Sequence, residues 1–198
     1  MVNFTKPPKN ILVINTHGIG DVIMGASSLL SLQETYDSSN IQIVVKSKVE
    51  ADVLHSLGIN AKFLFLQRAK SGVLELIAKT IDFRKRSFDM IICMPGTNPV
   101  LGPLLALWSG AKIRIGVDEG ILSFMYNIQS KIDNSQHKVI QCHKLLENIY
   151  VKETVQKLHF NFDDSTERHI NDFLGIDSTS KPIIVGIAPG SGEKETHK

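Results

Sequence analysis

Cysteine is scarce in this 198-residue chain, which holds two, Cys93 and Cys142. Two thiols can build neither a disulfide framework nor a cysteine-rich metal centre, so the fold has to rest on a packed core. Cys93 falls in an apolar run and Cys142 in a helical pattern, and both read as core thiols of a reducing compartment. Charge imbalance is missing as well. Basic residues number 22 and acidic ones 20, a net charge of +2, with no dense basic stripe of the kind that binds nucleic acid; no nucleic-acid partner is expected. No stretch approaches the ~18 apolar residues that would span a bilayer as a helix. The opening MVNFTKPPKN has no apolar core of a secretory signal, so the chain reads as cytoplasmic. Low-complexity tracts and repeats of roughly 20 to 50 residues are also lacking. A hydrophobic share of 42% with 21% charged residues argues against disorder and suits one well-cored domain with a remainder.

What the chain does contain is alternation. Strand-like apolar runs at 11–14, 41–46, 62–66, 88–94, 112–117, 158–162 and 182–188 interleave with helical patterns beginning at Asp21 and at 49–57, 73–85, 101–108, 137–149 and 166–174. That order predicts an α/β fold, a parallel sheet flanked by helices. Residues 121–126, apolar with two aromatics, read as core.

The organising stretch is ILVINTHGIGDVIM, residues 11–24. Four branched apolar residues make a strand buried on both faces, then a polar turn leads into an amphipathic helix. Asp21 is thereby placed at a helix N-terminus on the C-terminal edge of the first strand, where open α/β sheets bind ligands. Gly18 and Gly20 suit a turn that needs positive φ or a close approach by another molecule. Asp21 is a helix cap or a general base at the mouth of a cleft. A dinucleotide site is disfavoured, because Ile23 stands where the third glycine belongs and Lys46 where the acid after the second strand belongs. No Gly-Lys-Ser/Thr follows the turn, which removes a P-loop.

The run 88–94 ends in a second kinked loop, Pro95 to Pro99. If its strand neighbours the first, Thr97 and Asn98 can reach a sugar hydroxyl; otherwise they form the turn. Arg84, Lys85 and Arg86 read most simply as a solvated helix C-terminus, and more sharply as a hold on an anionic acceptor or membrane surface. His137 and His143 are not at the i, i+4 spacing that sets two ligands on one helix face, and no metal site is expected. A polar linker, 175–181, precedes the strand-like run 182–188 and the loop Pro189, Gly190, Ser191, Gly192, whose backbone N–H groups suit phosphate oxygens. A lone final strand cannot bury both faces, so residues 1–175 read as one domain and 176–198 as a linker and the start of a second, in the first half of a longer polypeptide.

These segments carry a family likeness. ILVINTHGIGDVIMGASSLLSL, FDMIICMPG, LLALWSGAKIRIGVD and IIVGIAPGSGEKETHK, in this order and spacing, resemble glycosyltransferase family 9, the ADP-heptose:lipopolysaccharide heptosyltransferases and their relatives, along nearly the whole chain. The resemblance implies a GT-B architecture of two Rossmann-like domains, with this chain supplying the N-terminal acceptor-side domain and the first strand of the donor-binding one. It implies an inverting transfer of a heptose or related sugar from a nucleotide-sugar donor to a lipopolysaccharide-core or similar glycan acceptor. Asp21 would be the catalytic base, with Gly190, Ser191 and Lys198 at the donor phosphates; Gly18, Gly20, Thr97 and Asn98 are the substrate-side candidates read from the two loops themselves. No cofactor is implied. Lipid-linked acceptors imply a peripheral visit to the inner membrane. The chain alone, lacking the family's later Asp-x-Gly segment, is expected to be inactive. The competing reading is a non-catalytic Rossmann-like binding or assembly domain.

Overall fold

The structure is a computed structural model that describes residues 6–16, 18–65, 83–151, 158–176 and 185–187. In chain order the elements are β1 (Asn10–Ile14), α1 (Ile19–Thr35), β2 (Asn40–Val45), α2 (Lys48–Ser56), β3 (Lys62–Phe65), β4 (Met90–Cys93), α3 (Leu101–Trp108), β5 (Ile113–Val117), β6 (Ile128–Ser130), α4 (Lys138–Glu147) and α5 (Asp164–Leu174). Contacts divide the chain into two compact units, 1–161 and 162–198. The first unit is built on a six-stranded sheet of order β3-β2-β1-β4-β5-β6, parallel throughout. It is Rossmann-like, and its strand order reverses between β1 and β4.

β1 is central because every side chain from Ile11 to Ile14 is apolar and can be buried on either face; all four are at most 1% exposed. Alternation then sorts them. Ile11 and Val13 join Val22, Ala26 and Leu29 of α1 and Leu145 of α4 in one core. Leu12 and Ile14 join Phe83, Phe88, Leu105 and Tyr126 in the other. Each such aliphatic side chain removed from water contributes roughly 1.5–3 kcal/mol.

On the first face α1 and α4 pack closely through small residues. Gly25 lets Cys142 approach, a Cβ there lying 3.8 Å from its Sγ. Ser27 Oγ and His143 Nε2 share a buried hydrogen bond of 3.1 Å, and the Tyr36 hydroxyl donates to the Ile149 carbonyl at 2.8 Å. On the second face Tyr126 fills the space left by two glycines, since a Cβ on Gly116 would overlap its ring and one on Gly102 would lie 2.8 Å from its hydroxyl. Gly110 ends α3 with φ +76°, the left-handed C′ conformation that glycine adopts without strain. Among the described residues no helix is long and apolar enough to cross a membrane.

Several expectations are corrected. Residues 158–162 form no strand; the Asn161 N–H bonds instead to the Ser56 carbonyl at the end of α2, so the chain follows a helix end rather than a sheet edge. The apolar run 121–126 is largely outside the core, with Ile121 93% and Phe124 68% exposed and only Tyr126 of its large side chains buried. A 3-10 turn at Ser123–Met125 cannot turn all of its side chains inward at once. β6 follows directly, too short to leave a pattern of its own. Of the expected strand 182–188, only residues 185–187 are described; they are exposed and outside regular structure, and the rest lies outside the described residues. The expected helix 73–85 lies outside the described residues except at its last turn.

Two outcomes follow from this packing. Gly116→Ala should lower unfolding free energy by about 1–3 kcal/mol through overpacking against Tyr126, read from the urea midpoint at unchanged m-value. Burial raises both thiols, Cys93 and Cys142, to about 12. Since a thiol below its pKa stays protonated, at pH 8 each should resist a thiol-specific reagent, with roughly 10⁴ thiols per thiolate, until the chain is unfolded.

Candidate functional site

The site is positioned by where β1 and β4 stop. The Met94 N–H donates to the Ile14 carbonyl and the Asn15 N–H to the Val44 carbonyl, each at 3.0 Å, so β1, β2 and β4 end at one level. From that level the chain after β1 turns into α1 on one face, and the chain after β4 turns into α3 on the other. The diverging connections leave a crevice at the C-terminal edge, the place where ligands enter open α/β sheets.

Asp21 stands there as the third residue of α1, half-buried, in the first turn. Its carboxylate is favoured at that position by the positive end of the helix dipole. Gly18 is the N-cap and offers no side chain to the first N–H groups. The expected positive φ is not found. Gly18 has φ −69°, and Gly20 is helical and outside the left-handed region. At neither would a Cβ meet any described atom within 4 Å. The turn itself therefore does not require these glycines, and what they leave is an open approach to the backbone at the start of α1.

Thr97 and Asn98 are brought to the same edge, as adjacency of β1 and β4 required. Both are already engaged by the fold. The Thr97 hydroxyl donates to the Met94 carbonyl at 2.7 Å and lies 3.3 Å from that of Ile14. Asn98 Oδ1 accepts from the N–H groups of Val100 and Leu101, each at 3.0 Å, and so caps the start of α3. The Asn98 NH2 and the Thr97 lone pairs are the groups left with capacity for a ligand hydroxyl. A cavity beside Thr97, lined also by Cys93, Met94 and Tyr126, holds ≈ 10 Å³, room for about one water. A sugar-sized ligand would lie across the sheet edge instead of inside it.

Other residues sort by position. The His137 ring accepts from the Val139 N–H at the start of α4 and His143 pairs with Ser27, so both imidazoles have structural partners; no group of three or more metal-ligating side chains occurs among the described residues. Beyond β2, Glu50 accepts from the N–H groups of Lys46 and Ser47 at 2.6 and 3.1 Å as part of the capping box of α2. Arg84–Arg86 precede Asp89 and β4, at the edge opposite Asp21. Gly190, Ser191 and Lys198 lie outside the described residues. Sequence reasoning passed over Asn15. It is 2% exposed, and its NH2 has no acceptor among the described residues; a polar residue closing an all-apolar strand was the available signal.

Comparison with solved structures bears on this edge and sheet. A glycosyl transferase of family 9 from Veillonella parvula superposes on 86% of the chain with a TM-score of 0.70 at 18% identity. The fold is that of a family 9 glycosyltransferase. ADP-heptose LPS heptosyltransferase II of E. coli superposes on 85% with a TM-score of 0.68 at 16% identity. E. coli heptosyltransferase WaaC, solved with ADP-2-deoxy-2-fluoro heptose, does so on 75% with a TM-score of 0.58 at 17% identity. The chain covers 51%, 51% and 50% of those three chains, about half their length, and its sheet matches the Rossmann-like N-terminal domain of the GT-B arrangement. No protein-family model and no curated protein matches the sequence.

The glycine geometry separates fold from function at this edge. Gly20→Ala, in a helical turn with space for a methyl group, should raise stability by about 0.5–1 kcal/mol, measured by thermal or urea unfolding; a stability loss instead would mean that the turn needs glycine.

Proposed function

We propose that this chain is the acceptor-side part of an inverting glycosyltransferase that moves a heptose or related sugar from a nucleotide-sugar donor to a lipopolysaccharide-core or similar glycan. The observation that carries the reading is the half-buried Asp21 carboxylate at the N-terminus of α1, on the edge where β1 and β4 diverge. The acceptor lies over the exposed start of α1, within reach of Gly18, Gly20, Thr97 and Asn98. Asp21 takes the proton from the attacking hydroxyl while that oxygen bonds to the anomeric carbon, and the nucleoside diphosphate leaves from the opposite face. Its negative charge is met from a second domain, entered at about residue 176, by Lys198 and the backbone N–H groups around Gly190 and Ser191. The protein works in the cytoplasm, touching the inner membrane where its acceptor is lipid-linked. Support comes from the shared fold with heptosyltransferases, one of them solved with ADP.

The deciding experiment uses the full-length protein. Asp21→Asn should keep the unfolding midpoint and lower transfer from ADP-heptose by ~10²-fold or more, as loss of a general base does. Transfer at the wild-type rate would remove Asp21 from that role and favour a binding or assembly domain. ADP should bind the 198-residue chain no tighter than millimolar by calorimetry, because the donor site belongs to the second domain.

A further inference from the structure

α3 is apolar on every side. Residues 101–108, LGPLLALW, hold no charged or hydrogen-bonding side chain apart from the Trp108 indole, and a helix of that kind is ordinarily covered all round. This one is covered on one side only. Gly102, Pro103, Leu105 and Ala106 are buried, while Leu101, Leu107 and Trp108 are exposed, with Val100 before them. The 3-10 turn at Ser123–Met125 packs beside α3 and widens that surface with the exposed Ile121 and Phe124. Its backbone is pinned from two sides. The Arg114 guanidinium donates to the Met125 carbonyl at 2.8 Å and to that of Ala111 at 3.0 Å, and the Gln129 amide donates to the Ser123 carbonyl at 2.8 Å. A contiguous apolar patch rimmed by polar residues marks a contact with a protein or a membrane.

Charge is distributed along this surface. Beyond Trp108, at the N-terminal edge of the sheet, lies a cavity of ≈ 290 Å³ lined by Arg84, Ser87, Asp89, Ser109 and Lys112. Asp89 Oδ2 accepts from the N–H groups of Lys9 and Asn10 at 2.8 and 3.0 Å, so its charge is already engaged and the two cations set the sign of the cavity. Lys85 is exposed next to Arg84. The acids Asp118 and Glu119 stand at the other end, before Ile121, where Gly120 meets Pro99. Cations near helix C-termini are ordinary; cations beside a bare apolar helix face are the composition of a membrane-surface element, with tryptophan at the boundary.

We infer that α3, the turn after Gly120 and the Arg84–Lys112 cavity form a docking surface for a bilayer that contains anionic phospholipid. Leu107, Trp108, Ile121 and Phe124 enter the acyl boundary, and a headgroup phosphate enters the cavity. A protein interface carries roughly one hydrogen bond per 100–200 Å², and the exposed stripe of α3 offers only the Trp108 N–H; a lipid surface asks for none. This deepens the membrane contact of the proposed function and rests on it, naming a face away from Asp21. The upper end of that face, at Pro99 and Ile121, adjoins Asn98, so a bilayer held there brings a lipid-linked acceptor to the rim of the crevice.

The test is flotation of the full-length protein with vesicles of phosphatidylethanolamine and phosphatidylglycerol and, in a second arm, of phosphatidylcholine alone. The anionic vesicles should carry the protein about tenfold better than the neutral ones. Ile121→Ser combined with Phe124→Ser, at exposed positions, should keep the unfolding midpoint and lower vesicle binding about tenfold or more. Arg84→Gln combined with Lys112→Gln should lower it about tenfold on the anionic vesicles alone. Trp108 is the single tryptophan of the 198-residue chain, and its emission should move to the blue with anionic vesicles and stay unmoved with inorganic phosphate. Absence of flotation, equal flotation on both vesicles, an unmoved Trp108 emission or wild-type flotation of either double variant overturns the surface. So does a dimer in lipid-free buffer that the Ile121 and Phe124 changes split into monomers, which would give the face to a second copy. Asp21→Asn should float as wild type does, and failure of the transferase reading shows in its transfer rate, so the two are separable.

Discussion

Everything at the candidate site depends on β1 being held in register between β2 and β4. Ile11 is paired with Ile41 on one side and Met90 on the other, and Ile14 with Val44 and Cys93. Parallel strands can be joined only by crossovers, which must lie on the faces of the sheet. Because the strand order reverses at β1, the connection after it and the connection after β4 leave on opposite faces, and the edge between them stays open. The position of Asp21 is a consequence of this topology. A carboxylate at the start of α2 or α4 would lack the divergence beside it.

The packing of α1 on α4 works on the same edge from below. Gly25, Ala26, Ser27 and Ser28 present little bulk, so two helices that both follow sheet strands come close along their lengths. Polar groups caught between them are partnered where the geometry allows, as in the Ser27–His143 bond. Where it does not, they stay without a partner among the described residues, as the Ser28 hydroxyl and the Asn15 NH2 do.

How much was legible can be followed residue by residue. The all-apolar run 11–14 could only be a buried strand, and Asp21 after a glycine-bearing turn could only sit near a helix start. Gly110 beyond Trp108 marked the end of α3 correctly. Gly18 and Gly20 were read as allowing a positive φ or a close approach by another molecule; their backbone is ordinary, since composition cannot report φ, and the open approach is what remains. Thr97 and Asn98 were placed at the right edge, while their engagement with Met94, Val100 and Leu101 emerged only from the folded turn. Ile121 and Phe124 looked like core because their neighbours are apolar; exposure is set by which way a 3-10 turn faces.

The sequence by itself determined the alternation of strands and helices, the burial of β1 and the placement of a carboxylate at the first strand-to-helix junction, since hydrophobic period and helix-start chemistry are local. The tertiary structure alone decided that β4 lies against β1, that the Gly25 and Cys142 faces meet, and hence that Asp21, Thr97 and Asn98 share one edge. Those residues lie far apart in the chain, and no local pattern encodes a distance that only parallel hydrogen-bond register and helix packing create.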